Sequence, residues 1–287
     1  EIPLRLVGSE MCIRDRGAVI IENGKVSVGI TQERISRIKH DGAHQGGIVP
    51  FESITYCLNY LGISHRDIDL YVYSTTELID DVDSQFFSKY KDLKREILIF
   101  IPHHLAHAYS SFFSSGLDDA AVIVADASGS ILNFQNKLHL WYEKDRSGLD
   151  TSEDWTEGIS IYHFNKKNHK EVYKKWIKYP VPLDTGEDVS VGTIYSHGSL
   201  QLIYEPKNNT WPAGKLMGLA SYANQDIVDE APLFITEKDD DIFIPNNAIY
   251  PRVTWKSDFY SRACVAGIYQ REQERASLIL ALSLIHI

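Results

Sequence analysis

The stretch Ile97–Ser130, ILIFIPHHLAHAYSSFFSSGLDDAAVIVADASGS, decides the fold class. It reads as a buried strand, a helix that opens with histidines, and a second buried strand ending in an acid. Pro102 at the first helical turn and Gly116 just past the last bracket the helix. Proline there gives up a donor that would lack a partner anyway, and glycine accepts a left-handed stop. His103 and His107 are four apart, so on a helix they project from one face about a turn apart. Asp126 follows the apolar run 120–125, at the carboxyl end of a strand, where open α/β sheets hold their ligands. Two imidazoles and a carboxylate are a donor set for a divalent metal. An H-x-x-x-H pair also has a plainer reading, as the polar face or capped start of a helix. His104 points away from the pair, toward solvent or a packed neighbour.

Outward from this stretch, other elements fall into place. Gly17–Ile21 and Lys25–Thr31 are β-branched runs separated by Glu22-Asn23-Gly24, and Asn-Gly between two such runs signals a hairpin. Residues 50–61 carry apolar side chains at helical spacing and end at Gly62. Residues 68–73 read as a strand running into Ser74-Thr75-Thr76, and 77–96 as a polar, helical excursion. Residues 138–142 and 158–163 read as strands joined by an acidic loop, and 189–203 as a helix. Gly214–Tyr222, GKLMGLASY, is a glycine-bounded element. Residues 226–251 form a loop-rich acidic insertion with a short strand at 242–244, and 257–280 an amphipathic helix. A hairpin plus strand–helix units predicts a mixed α/β sheet covered by helices.

The net charge is −10, from 39 acidic against 29 basic residues. That excludes broad nucleic-acid binding, which needs a basic face. The acidic clusters 80–83, 150–157 and 237–241 lack EF-hand spacing and read as solvated turns. No apolar run reaches the length of a membrane span, so no membrane partner is expected. Cys57 and Cys264 stand isolated in apolar periodic stretches, which favours a reducing, cytoplasmic setting over a disulfide framework.

Both ends carry sequence of a different kind. Residues 5–16, RLVGSEMCIRDR, contain the translation of a transposase sequencing adapter, and LSLIHI at 282–287 is what its reverse complement encodes. Residues 1–16 are therefore read as an unnatural N-terminal segment and 282–287 as an adapter-derived tail, both outside the fold. Cys12 drops out of the cysteine count with them. Residues 17–281 remain as a partial domain.

Four segments in order carry a resemblance. They are Gln32–Asp41 (QERISRIKHD), His103–Ala108 (HHLAHA), Asp126–Gly129 (DASG) and Gly214–Ala220 (GKLMGLA). Together they resemble the patterns EERFTRKKHD, HHLAHA, DGxG and GKxMGLA of the carbamoyltransferase family related to nodulation and antibiotic O-carbamoyltransferases. The resemblance covers about residues 17–223 and implies a domain similar to the Kae1 tRNA-modification proteins. Its fold is the actin-like ATPase (RNase H-like) superfold, a mixed sheet flanked by helices, here incomplete.

The resemblance implies a transferase of natural-product biosynthesis. Carbamoyl phosphate and ATP give a carbamoyl-adenylate, and the carbamoyl group then passes to a hydroxyl of a small molecule. Adenylate formation belongs to a C-terminal YrdC-like domain of the same chain, missing here, so the fragment alone is expected to be inactive. Transfer takes place near a divalent metal, iron or similar, with His103, His107 and Asp126 as the implied ligands. Lys39 and His40 approach the cleft in the family pattern, Lys39 as a cation for phosphate and His40 as general base, unless they form a solvated basic loop. Ser128, Gly129 and Ser130 resemble the actin-like phosphate turn, where small residues let backbone N–H groups approach an anion. The chain departs from the family there, with Ala127 for a glycine and Ser130 for a frequent acid. Gly214, Lys215 and Gly218 either contact the nucleotide, ATP or the adenylate, or serve helix packing and solvation.

Other readings remain beside this one. An actin-like kinase or ATPase would use a phosphate-binding strand pair and Mg²⁺, and a non-catalytic relative would keep only the fold. A metallopeptidase is disfavoured because Leu105-Ala106 supplies no glutamate of the H-E-x-x-H kind. The acceptor is not legible in loops 144–157 and 224–255.

Overall fold

The computed structural model describes residues 5–12, 15–38, 49–76, 78–126, 128–132, 149–179, 190, 192, 213–231, 233, 236–238, 241–243 and 263–275. Two compact units emerge, residues 1–117 with 129–154, and residues 118–128 with 155–287.

In the first unit five strands form one sheet: β1 (Arg5–Cys12), β2 (Asp15–Glu22), β3 (Lys25–Thr31), β4 (Leu70–Ser74) and β5 (Leu98–Ile101). Their order is β3-β2-β1-β4-β5. β1, β4 and β5 run parallel, while β2 is antiparallel to β1 and β3. One reversed strand in that order is the RNase H-like arrangement of the actin-like superfold. The β2–β3 turn is made by Asn23 at φ 52° and Gly24 at φ 76°. Two successive left-handed residues match the twist of the flanking strands, which is why Asn-Gly marks this turn.

From sequence, residues 5–16 are set outside the fold. The backbone instead places Arg5–Cys12 inside it, paired with β2 on one side and β4 on the other. An interior strand is held by its N–H and C=O groups, which any proline-free segment supplies. The slot therefore takes an extended chain whatever the origin of its side chains.

Helices α1 (Gln32–Ser36), α2 (Phe51–Leu61), α3 (Ile79–Lys89) and α4 (His103–Ser115) belong to the same unit. α2 ends in a left-handed Gly62, where the Gly62 and Ile63 N–H groups donate to Asn59 and Leu58 carbonyls at 3.1 Å. Those bonds satisfy carbonyls that a helix end would otherwise leave open. The core packs Ile20 of β2, Ile54 and Cys57 of α2, Tyr71 and Tyr73 of β4 and Phe86 of α3. Phe86 meets Tyr71 and Tyr90 edge-on, at 4.9 and 5.1 Å between ring centroids. Burial pushes the Tyr71 phenol well above its ordinary pKa, and it donates to the His65 carbonyl at 3.1 Å. A two-residue strand, β7 (Ile131–Leu132), lies later in this unit.

The second unit carries β6 (Asp119–Ala125), β8 (Asp154–Asn165) and β9 (His169–Tyr179). β6 is antiparallel to β8, and β9 also pairs with β8. The second strand of the opening stretch is thus neither parallel to β5 nor deeply buried. Val124 is buried but Ile123 is exposed, so β6 covers one face only. β9, HKEVYKKWIKY, is not anticipated from sequence. It pairs with β8, and its Lys174 is buried against Glu157 of β8 at 2.6 Å and Glu171 of β9 itself at 3.0 Å. Charges removed from water persist only when paired in this way. Helices α5 (Ala213–Ala220), α6 (Gln225–Glu230) and α7 (263–275) follow, with a hairpin of β10 (Thr236–Lys238) and β11 (Asp241–Phe243) between α6 and α7. The expected strand 138–142 and nearly all of the expected helix 189–203 lie outside the described residues. Among the described residues no helix is long and apolar enough to cross a membrane.

Phe86→Ala is expected to cost about 3–5 kcal/mol, because the ring leaves a cavity in a packed core. Tyr56→Ala, on the outer face of α2, should cost under about 0.5 kcal/mol. Urea unfolding of the two variants checks the contrast, and equal midpoints would contradict this core.

Candidate metal centre

α4 begins two residues after β5, with Pro102 between them. Leu105, Ala108 and Phe112 form its buried stripe at helical spacing and anchor it. His103 is buried at the first helical position, and His107 is half-buried one turn later. Their rings meet edge to face at 86°, with centroids 4.5 Å apart. The two Nε2 atoms are 3.0 Å apart, so one ring's Nε2–H donates to the other's Nε2, the tautomers setting the direction. Two ring nitrogens thus converge on one spot.

That spacing tests whether one ion fits both. Metal–imidazole bonds are about 2.0–2.1 Å. Two such bonds to atoms 3.0 Å apart enclose roughly 94°, close to the right angle between neighbouring octahedral ligands. Tetrahedral ligands would sit about 3.3 Å apart at the same bond length. The pair fits a shared ion as adjacent ligands.

Pro102, as N-cap, has no side-chain donor or acceptor for the first turn of α4. The His103 N–H instead donates to Ser130 Oγ at 2.9 Å, and the Ser130 hydroxyl donates to the Thr75 carbonyl at 2.7 Å. Ser130 is 1 % exposed. The phosphate-turn expectation puts this residue on an anion, whereas its recorded partners are protein backbone groups. Gly129 beside it is buried and Ser128 half-buried.

The remaining expected site residues lie on several elements. Asp126 directly follows β6, half-buried, and belongs to the second unit. Gly214, Lys215 and Gly218 all lie on α5. Lys215 and Gly218 are exposed, while Leu216 and Ala220 make the inner face. A Cβ on Gly218 would meet nothing within 4 Å, so close helix packing does not account for that glycine. Lys39 and His40 lie outside the described residues. His104 is buried in the first unit, which removes the solvent-facing alternative. Sequence reasoning overlooked Thr75; its signal was the Ser74-Thr75-Thr76 run where β4 leaves the sheet beside β5.

One family model covers most of the chain. The model for "Carbamoyltransferase N-terminus" matches residues 5–93 and 85–247. Nodulation protein NolNO of Sinorhizobium fredii is 30% identical over 142 residues, 41% of this chain and 20% of that protein. The uncharacterized protein sll1178 of Synechocystis is 25% identical over 161 residues, 43% of this chain and 25% of its own length. The chain thus spans about a quarter or less of these two curated relatives. Among solved structures, YeaZ from Pseudomonas aeruginosa aligns over 62% of this chain and 68% of its own, at 8% identity and a TM-score of 0.36. An Aquifex aeolicus Ppx/GppA family member aligns over 97% and 91%, at 12% identity and a TM-score of 0.32.

Leu105→Ala is expected to cost about 2–5 kcal/mol by undercutting the platform of the histidine pair. Lys215→Ala, on the open face of α5, should stay within about 0.5 kcal/mol of the parent. Chemical unfolding monitored by circular dichroism separates the two.

Proposed function

The chain belongs to the carbamoyltransferase N-terminus family, and on that footing we propose that it carries the transfer site of a metal-assisted O-carbamoyltransferase. The observation that supports this most is the His103–His107 pair, whose Nε2 atoms converge at 3.0 Å, the spacing of adjacent ligands on one ion. Asp126 is the proposed third ligand. It lies four residues before Ser130, and an extended chain of that length spans at most about 14 Å. Ser130 is itself bonded to the His103 backbone. Two histidines and one carboxylate leave coordination positions open and suit Fe²⁺ or a similar ion.

When bound, the ion would polarise the carbamoyl carbonyl and stabilise charge on its oxygen. The acceptor hydroxyl forms a new C–O bond to the carbamoyl carbon, and the bond from that carbon to the adenylate oxygen breaks, releasing AMP. His40 takes the hydroxyl proton, and Lys39 holds the departing phosphate. The N–H groups of Ser128 and Gly129 offer donors to the same anion. Gly214, Lys215 and Gly218 are proposed against the nucleotide, where the open face of α5 leaves room for it. Supply of carbamoyl-adenylate from carbamoyl phosphate and ATP is assigned to a YrdC-like domain elsewhere in the whole protein. The acceptor is a small molecule bearing a hydroxyl.

Metal content and affinity, measured beside a His103→Ala/His107→Ala variant, test the site. The expected result is about one Fe²⁺ or Co²⁺ per chain, removed by chelator and absent from the variant. In the whole protein the same variant should lower carbamoyl transfer at least about 10²-fold, as loss of an electrostatic stabiliser does. Equal, negligible metal in both proteins would leave the histidines structural and favour a nucleotide-binding relative without this chemistry.

A further inference from the structure

We infer that Ser130 is the positioning residue of this site, acting through the backbone of His103 rather than on a phosphate. The inference rests on the metal reading of the histidine pair.

The first N–H groups of a helix have no partner inside it, and a side chain just before the helix usually supplies one. Pro102 cannot do so. The partner instead comes from a residue 27 positions away in sequence. Ser130 Oγ accepts from the His103 N–H, and its own proton goes to the Thr75 carbonyl. His103, Ser130 and Thr75 are each 1 % exposed, so bulk water does not stand ready to replace the hydroxyl. One hydroxyl thus joins three segments: the end of β4, the start of α4 and the residues at Gly129–Ser130.

One of those segments, the start of α4, carries both histidine ligands of the proposed site. His103 is both the capped residue and a ligand, so a displacement of its backbone is passed directly to its imidazole. His107 is referred to His103 by the helix itself, one turn on, and keeps its spacing in any rigid shift of α4. What the helix cannot set is the place of the pair relative to the end of β4. The Ser130 hydroxyl sets it, because it is bonded to both His103 and Thr75. Metal sites tolerate errors of only about 0.5 Å in their ligands. Ser130→Ala would leave two buried backbone groups facing a methyl, and the first turn of α4 would move or admit water to satisfy them.

The test is a Co²⁺ titration of the parent chain, Ser130→Ala, Ser130→Thr and His103→Ala/His107→Ala, followed by visible absorption, with folding monitored by circular dichroism. Ser130→Ala is expected to stay folded, bind Co²⁺ about 10–100-fold more weakly and change the d–d bands, as loss of an outer support of a metal site does. Ser130→Thr, which keeps the hydroxyl, should restore both. A Ser130→Ala protein that melts earlier but keeps the parent's affinity and bands would overturn the inference and leave a purely structural serine. If the parent and the double histidine variant bind no Co²⁺ alike, the metal reading fails, and imidazole ¹⁵N resonances then decide the positioning role. Altered Nε2 signals of the His103–His107 pair in Ser130→Ala would sustain it, and unchanged signals would refute it.

Discussion

Parallel pairing of β4 with β5 is the constraint on which the rest of the candidate centre depends. Its register sets Ser74 opposite Ile101, so the two strands leave the sheet side by side. Thr75 and Pro102 are the next residues on each. The Thr75 carbonyl and the first N–H of α4 are thereby presented together at the carboxyl edge of the sheet, where parallel strands gather ligand-binding loops. A single hydroxyl can bridge them only because of that register. A slip of one residue would turn Tyr71 and Tyr73 out of the core, which is why packing holds the register so firmly.

Much of this was legible in the residues. Asn23-Gly24 announced its hairpin because few other pairs occupy two left-handed positions in succession, and Gly62 and Gly116 marked helix ends for the same reason. His103 and His107 were legible as a pair because four residues make nearly one helical turn. Sequence periodicity did not separate β6 from a fully buried strand, since Ala-Ala-Val-Ile-Val looks alike whether one face or two are covered. β9 escaped notice because its lysines disguise a strand whose inner charge is neutralised by Glu157. β1 escaped because backbone pairing tolerates side chains that carry no fold signal. Nothing local to α4 indicates that Ser130 caps it, since that contact spans 27 positions.

The same comparison shows how a departure from a family pattern is to be weighed. Ser130 stands where an acid is frequent, and from sequence alone that reads as a weakened phosphate turn. A carboxylate at this position has no proton to give the Thr75 carbonyl, whereas a hydroxyl both gives and accepts. The serine therefore allows a link between β4 and α4 that an ionised acid does not.

The donor set itself argues against a purely structural metal. Structural zinc sites are closed by four protein ligands and favour tetrahedral spacing. The His103–His107 nitrogen pair, 3.0 Å apart, lies nearer the spacing of adjacent octahedral ligands than that of tetrahedral ones. It suits two adjacent positions of a larger coordination sphere, and the proposed carboxylate would take a third. Under the proposed function the positions left over would take a carbonyl oxygen, which a carbamoyl donor would supply. The buried bridge from Thr75 through Ser130 to His103 joins the end of β4 to the first turn of α4, and the helix carries His107 with it one turn on.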